Sequence, residues 1–294
     1  LSDLSIDEII TELTCSDVSA ACDLFLPVYE RSKHLDGRIS IEVDPRFARD
    51  TKSTIEQGLA LWKKINRPNL MVKVPATVEG LPAIKELIAN GVSVNVTLIF
   101  SVKRYRQVMQ AYADGLTAAL SKNLQINEIF SVASFFISRI DTEVDKALSP
   151  DSGLKGMAAI ANAVMAYQAF EDFAKTQEWQ SLQAKGANLQ RPLWASTGVK
   201  DPAYDPTRYV MQLVAPHTVN TMPENTLKAV RETGIFTGDT VTKNYQSAKA
   251  TLAKLAMLGV DLEKITDHLE VDGVTKFESA WLELIDSVKT VAGK

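Results

Sequence analysis

Lys73 stands apart from the other cationic side chains. It is flanked by Val72 and Val74 inside Leu70-Met-Val-Lys-Val74, a run that reads as a β-strand. Burial there would disfavour the ammonium and lower its pKa, and a neutral amine can attack a carbonyl to form a Schiff base. A strand lysine can equally snorkel to solvent or pair with a carboxylate. Glu42, in the preceding β-rich run Arg38-Val43, supplies such a carboxylate. The two form either a structural ion pair or a nucleophile with its proton shuttle, because carbinolamine formation and dehydration need a general acid and base. Asn95 and Thr97 share one parity in Val92-Phe100. They could orient a substrate hydroxyl, hold a catalytic water, or form a satisfied polar layer. Arg139 follows the run Phe130-Phe136, and Ser196 leads into Thr197-Gly-Val-Lys200. An Arg fork and a Lys charge near late strand ends suit a phosphate group. The competing reading of Arg139 is a salt bridge to Asp141 or another surface carboxylate.

Those residues need strands to present them. Six β-rich runs alternate with longer helical patterns: Arg38-Val43, Leu70-Val74, Val92-Phe100, Phe130-Phe136, Pro192-Ser196 and Tyr209-Val214. Apolar stripes at spacings of three and four, such as Tyr105-Val108-Tyr112-Leu116, mark the helices between them. The alternation predicts βαβ units and a parallel sheet, in an open doubly wound form or a closed barrel. No GxGxxG or GxxxxGK[ST] loop occurs, which weighs against a doubly wound nucleotide fold. Parity is sharper. Ser40 with Glu42, Lys73, Ser93 with Asn95 and Thr97, Ser134 with Phe136, and Trp194 with Ser196 would each lie on the inner face of their strand, opposite the valines and Leu98. Active sites of barrels gather at the C-terminal ends of their strands. Beyond Pro223 the chain reads as helices, including Gln246-Leu258 and Lys276-Val288, expected in the outer layer.

Composition narrows the function. The 294 residues carry 32 Lys+Arg against 36 Asp+Glu, a formal charge of −4, so there is no basic excess for nucleic acid. No apolar run of about 18 residues could span a membrane. Cys15 and Cys22 lie two helical turns apart, about 10 Å along the axis, too far for a disulfide. They read as small buried hydrophobes of a reducing cytoplasm. His34, His217 and His268 are scattered and show no zinc spacing, so they read as structural or surface residues and no metal is expected. The start at Leu1-Ser2-Asp3, without a Met, suggests that the true start was removed.

The segments Ile39-Ser-Ile-Glu-Val-Asp-Pro45, Leu70-Met-Val-Lys-Val-Pro-Ala-Thr77, Gly91-Val-Ser-Val-Asn-Val-Thr-Leu-Ile-Phe-Ser101, Ser131-Val-Ala-Ser-Phe-Phe-Ile-Ser-Arg-Ile-Asp141 and Leu193-Trp-Ala-Ser-Thr-Gly-Val-Lys200 resemble the transaldolases, of the branch found alone or fused to phosphoglucose isomerase. The resemblance covers essentially the whole chain. It implies a (β/α)8 TIM-type barrel of the class I aldolase kind, with 1–294 as one domain. It implies Lys73 as the Schiff-base lysine, and Glu42 and Thr97 handling protons through a water. Asn95, Ser134 and Phe136 would line the sugar site, and Arg139, Ser196 and Lys200 would hold the phosphate. The implied reaction moves a dihydroxyacetone unit from sedoheptulose 7-phosphate to glyceraldehyde 3-phosphate. It yields erythrose 4-phosphate and fructose 6-phosphate in the pentose phosphate pathway, without cofactor. The resemblance also implies a first-strand Asp and a Thr-Ser-Asn-Pro-like turn after the second strand, neither of which can be placed. The six strands are therefore expected to be the third to eighth, in an N-terminally incomplete barrel with extra C-terminal helices. A homodimer is compatible with this reading. The alternatives are a fructose 6-phosphate aldolase-like enzyme and a non-catalytic barrel remnant that binds sugar phosphates.

Overall fold

A computed structural model describes residues 4–293. Leu1–Asp3, on which the expectation about a removed start falls, lie outside the described residues. The order of elements is α1 (Ile6–Arg31), β1 (Ile39–Glu42), α2 (Thr51–Ile65), β2 (Leu70–Pro75), α3 (Gly80–Ala89), β3 (Val94–Ile99), α4 (Val102–Ser121), β4 (Ser131–Phe136), α5 (Ser138–Val144), α6 (Ala158–Ala174), α7 (Gln177–Gln183), β5 (Arg191–Ala195), α8 (Arg208–Met211), β6 (Val219–Asn220), α9 (Glu224–Thr233), α10 (Tyr245–Met257) and α11 (Leu262–Ala292). Local chemistry sets many boundaries. Ser5 and Glu8 close a capping box on α1, and Asp50, Ser101 and Asp261 cap α2, α4 and α11 through their side chains. Asn66 ends α2 in the left-handed conformation.

Among the described residues the strands form one six-stranded sheet, parallel throughout, in the order β1-β2-β3-β4-β5-β6. This sequential order is that of a β/α barrel, but β1 and β6 do not pair, so the described sheet is an arc and not a closed cylinder. Its outer face carries the core. Val72, Val74, Val94, Val96, Ala133 and Phe135 are fully buried against the helices, each large aliphatic contributing about 1.5–3 kcal/mol. Cys15 and Cys22 are free and buried on α1. The three histidines are exposed, with His34 stacked on Tyr29. No helix among the described residues is long and apolar enough to cross a membrane.

The structure departs from the sequence reading in four places. Tyr209-Val214 is not a strand: Tyr209–Met211 belong to the short helix α8, and the sixth strand is the two-residue β6. A run of apolar residues this short has the same look in a strand and in a buried helical turn. Leu98 does not follow the valines outward. The β3–β4 register slips by one residue between Val96 and Ile99, and Leu98 sits at φ +58. This bulge turns its side chain toward α11. Trp194 does not share the inner face with Ser196. It pairs in register with Phe135, meets that ring edge-on at 6.2 Å and donates its indole N–H to the Leu213 carbonyl. Finally, α11 is not an outer-layer helix. It lies across the C-terminal ends of β1 to β3, packed on Leu98 and Phe100 and facing Lys73 and Glu42.

Candidate active site

Register brings the polar inner-face residues together. Glu42 pairs with Lys73, and Lys73 with Asn95. Paired residues of a parallel sheet point to the same side, so β1, β2 and β3 deliver a carboxylate, an amine and an amide to one face. Lys73 Nζ donates to Glu42 Oε2 at 3.1 Å, and the two side chains are 25% and 30% exposed. The lysine is thus partly buried, not sealed. Burial pushes the Glu42 carboxyl upward in pKa, against the lowering pull of Lys73.

Below this pair lies a short hydrogen-bond chain. Asn95 Nδ2 donates to Ser40 Oγ at 3.0 Å, and Ser134 Oγ donates to Asn95 Oδ1 at 2.8 Å. Asn95 therefore matches the satisfied polar layer weighed from the sequence. Thr97 does not. It is fully buried, its carbonyl accepts from Ala76 N–H at 2.8 Å, and its hydroxyl oxygen has no partner. A buried hydroxyl left empty is disfavoured unless something fills its hydrogen bond.

The other candidates lie beyond β4 and β5. Phe136 is buried against Phe100, ring centroids 5.2 Å apart, and the Arg139 guanidinium lies 5.5 Å above the Phe136 ring. Arg139 makes no ion pair among the described residues, and one guanidinium nitrogen is buried without a partner. The competing reading, a salt bridge to Asp141 or another carboxylate, finds no such pair among the described residues. Asp141 instead accepts from Tyr209 Oη at 2.7 Å and from Ala159 N–H at 2.8 Å, tying α5 to α6 and α8, and its own burial raises its pKa. Ser196 sits at φ +55, and this turn swings its hydroxyl to 3.0 Å from that of Ser138, while Ser138 N–H donates to Ser196 O. Lys200 is exposed and is not drawn into this group. It lines a neighbouring cleft of about 510 Å³ with Ser138, Asp141, Lys155 and Tyr204.

Two left-handed non-glycine residues, Leu98 near the end of β3 and Ser196 just after β5, thus sit beside Thr97 and lead to the phosphate candidates, respectively. Such backbone costs about 1–3 kcal/mol each and is found where a site needs an odd direction. Sequence reasoning missed Ser138, Phe277 and Trp281. The Phe277 ring centroid lies 5.4 Å from Lys73 Nζ, and both aromatics line a pocket of about 260 Å³ with Glu42. A signal existed: Leu269, Gly273, Phe277, Trp281 and Ile285 recur every four residues along one face of α11.

Residues 2–288 match the family described as Transaldolase/Fructose-6-phosphate aldolase. The chain is 53% identical over 289 residues to a transaldolase of Acidothermus cellulolyticus, covering 97% of this chain and 78% of that protein. It is 48% identical over 295 residues to a transaldolase of Parafrankia sp., covering 99% and 80%. It is 50% identical over 290 residues to a transaldolase of Mycobacterium tuberculosis strain H37Rv, covering 97% and 78%.

Proposed function

The chain belongs to the transaldolase/fructose-6-phosphate aldolase family, and on that premise we propose that Lys73 is the amine through which it works. The enzyme is a transaldolase, a transferase that moves a dihydroxyacetone unit between phosphorylated sugars of the pentose phosphate pathway. The sites below are the reading that the geometry supports best.

Lys73 Nζ attacks the C2 carbonyl of the donor ketose. Glu42, 3.1 Å away, is placed to carry the proton that lets the carbinolamine oxygen leave as water. Its raised pKa favours the protonated form that this step needs. The protonated imine then accepts the electron pair of the breaking C3–C4 bond, which leaves an enamine on Lys73 and an aldose phosphate free to depart. Bond formation to the acceptor aldehyde reverses these steps. Thr97, with its unfilled hydroxyl, is placed to orient a water or a substrate hydroxyl beside the row. Asn95, Ser134 and Phe136 shape the sugar end. Arg139, with a free buried N–H, and Ser196 take the phosphate, with Lys200 approaching from the neighbouring cleft.

The observation that carries this reading is the Lys73–Glu42 contact on adjacent strands at the C-terminal end of the sheet. Borohydride reduction in the presence of fructose 6-phosphate, followed by peptide mass mapping, tests it. A dihydroxyacetone adduct on Lys73 is expected. A folded protein whose adduct sits on another lysine, or that forms none, removes Lys73 from the mechanism.

A further inference from the structure

The helix across the strand ends has a feature that simple covering does not require. Phe277 stands over the reacting amine, with its ring centroid 5.4 Å from Lys73 Nζ. One turn on, Trp281 continues the same wall. The pocket there, about 260 Å³, is lined by Glu42, Val43, Pro45, Phe277, Trp281 and Leu284, together with Ala280. Glu42 is the one ionisable side chain in that lining. The wall is also firmly held. Gly273 lets α11 sit on the Leu98 bulge, where an added Cβ would come within 3.0 Å of Leu98 Cδ2 and 3.7 Å of Phe100. Arg104 and Glu270, each only 15% exposed, join α4 to α11 at 3.2 Å. Arg46, paired with Asp44 and Asp7, packs 6.0 Å from the Trp281 ring.

We propose that Phe277 and Trp281 are positioning residues that decide the fate of the Lys73 intermediate, by keeping water, as a source of protons, from the enamine carbon until an aldehyde acceptor arrives. This rests on the Schiff-base reading above. After the first aldose phosphate leaves, the enamine has two outlets. In one, its carbon attacks the acceptor aldehyde, a C–C bond forms, the aldehyde oxygen takes up a proton, and one water then hydrolyses the product iminium at C2 to free the longer ketose phosphate and the amine. In the other, the same carbon takes a proton, water adds to C2 of the resulting iminium, the C–N bond breaks, and free dihydroxyacetone departs with the neutral amine restored. Each outlet ends in the same hydrolysis by one water and needs no oxidant or reductant, so the two part at the enamine carbon, which meets either an aldehyde or a proton. An aromatic face over the nitrogen opposes the second outlet by occupying the space from which water would bring that proton. Transfer therefore dominates because of a wall contributed by a helix outside the strand–helix alternation.

The test is a ratio. Release of free dihydroxyacetone from fructose 6-phosphate alone is divided by transfer to erythrose 4-phosphate, for the native protein, Phe277→Ser and Phe277→Leu. Phe277→Ser admits water and should raise the ratio about tenfold, whereas Phe277→Leu keeps the wall apolar and should stay within about threefold of native. Borohydride trapping on Lys73 is measured in all three. Failure to trap Lys73 in the native protein defeats the Schiff-base reading itself. Normal trapping with an unchanged ratio in Phe277→Ser, or an equal rise in Phe277→Leu, defeats the proposal about the wall. Should Phe277→Ser not fold, Trp281→Gln opens the same wall one turn away, and an unchanged ratio there overturns the proposal equally.

Discussion

Two layers of polar side chains lie on the inner face of the sheet, and they are built differently. In the lower one, Ser40, Asn95 and Ser134 use their hydrogen-bonding groups on each other across β1, β3 and β4. In the upper one, Lys73 and Glu42 hydrogen-bond only to each other among the described residues and the Thr97 hydroxyl is buried with no partner, while Arg139, on α5 just beyond β4, holds an unused N–H. Each side chain of the lower layer has a partner within it, and these bonds tie three strands together. The upper layer has capacity that only something outside the chain can fill. An unpartnered nitrogen is not enough to mark a site, as Arg38 shows at the opposite pole. Both its terminal nitrogens are buried without partners, yet its guanidinium is stacked over Phe130, 3.8 Å from the centroid, where the ring supplies part of what a counter-ion would. Spare groups at the C-terminal ends of neighbouring strands, as with Thr97 on β3 and Arg139 just after β4, are the stronger signal.

Substitutions should separate the layers by what they damage. The largest effect is expected from Lys73→Met, which removes the nucleophile: transfer should fall by about 10⁴-fold or more while the thermal midpoint survives. A coupled transfer assay beside an unfolding curve checks it. Glu42→Gln should reduce kcat by about 10²- to 10³-fold. It also makes a pH prediction. Burial raises the Glu42 carboxyl above its ordinary 4.5, so the folded state keeps this proton to higher pH than the unfolded chain. This contribution to stability is fully present below 4.5 and is lost as pH climbs through the folded-state value, and the Gln variant has no such slope. Denaturant titrations across that interval should show the native protein's stability, relative to the variant, falling as pH rises.

The sharpest test of the comparison is a crossed pair. Thr97→Val deletes a hydroxyl that has no partner, so stability should hold or rise slightly while kcat falls by about 10- to 100-fold. Asn95→Leu strands the Ser40 and Ser134 hydroxyls and should lower unfolding free energy by about 1–3 kcal/mol. Equal stability losses from the two would erase the distinction between the layers. The smallest effect on turnover is expected from Arg139→Met, which should raise KM for phosphorylated substrates about tenfold and leave kcat at saturation within about threefold. Repeating the measurement with an unphosphorylated ketose should abolish the difference between the two proteins.

Much of this was legible from alternation alone. A strand has a period of two, so Ser40 and Glu42, Lys73, Asn95 and Thr97 fall on one parity, and parallel register carries the facing row across three strands. Alternation failed where the backbone left the strand conformation or the strand was very short. Nothing in Val92-Phe100 announces that Leu98 will take a positive φ, because leucine has no preference for one. Trp194 reads as inward by counting back from Ser196, but it is Ser196 that turns, and Trp194 joins the aromatic core behind the sheet. The two residues of β6 carry too few side chains to show any period.

The sequence by itself determined which residue types recur at which period, and hence a parallel sheet, its helices and an inner row bearing Lys73 and Glu42. Only the tertiary structure decided that Asn95 is satisfied and Thr97 is not, that Asp141 belongs to Tyr209 and leaves Arg139 free, and that α11 returns to stand over the amine. The physical reason is the range of the interactions. Periodicity is local and is written in neighbouring residues. Whether a polar atom finds a partner depends on groups such as Ser40 and Asn95, 55 positions apart, or Lys73 and Phe277, farther apart still, which meet only once the chain has folded.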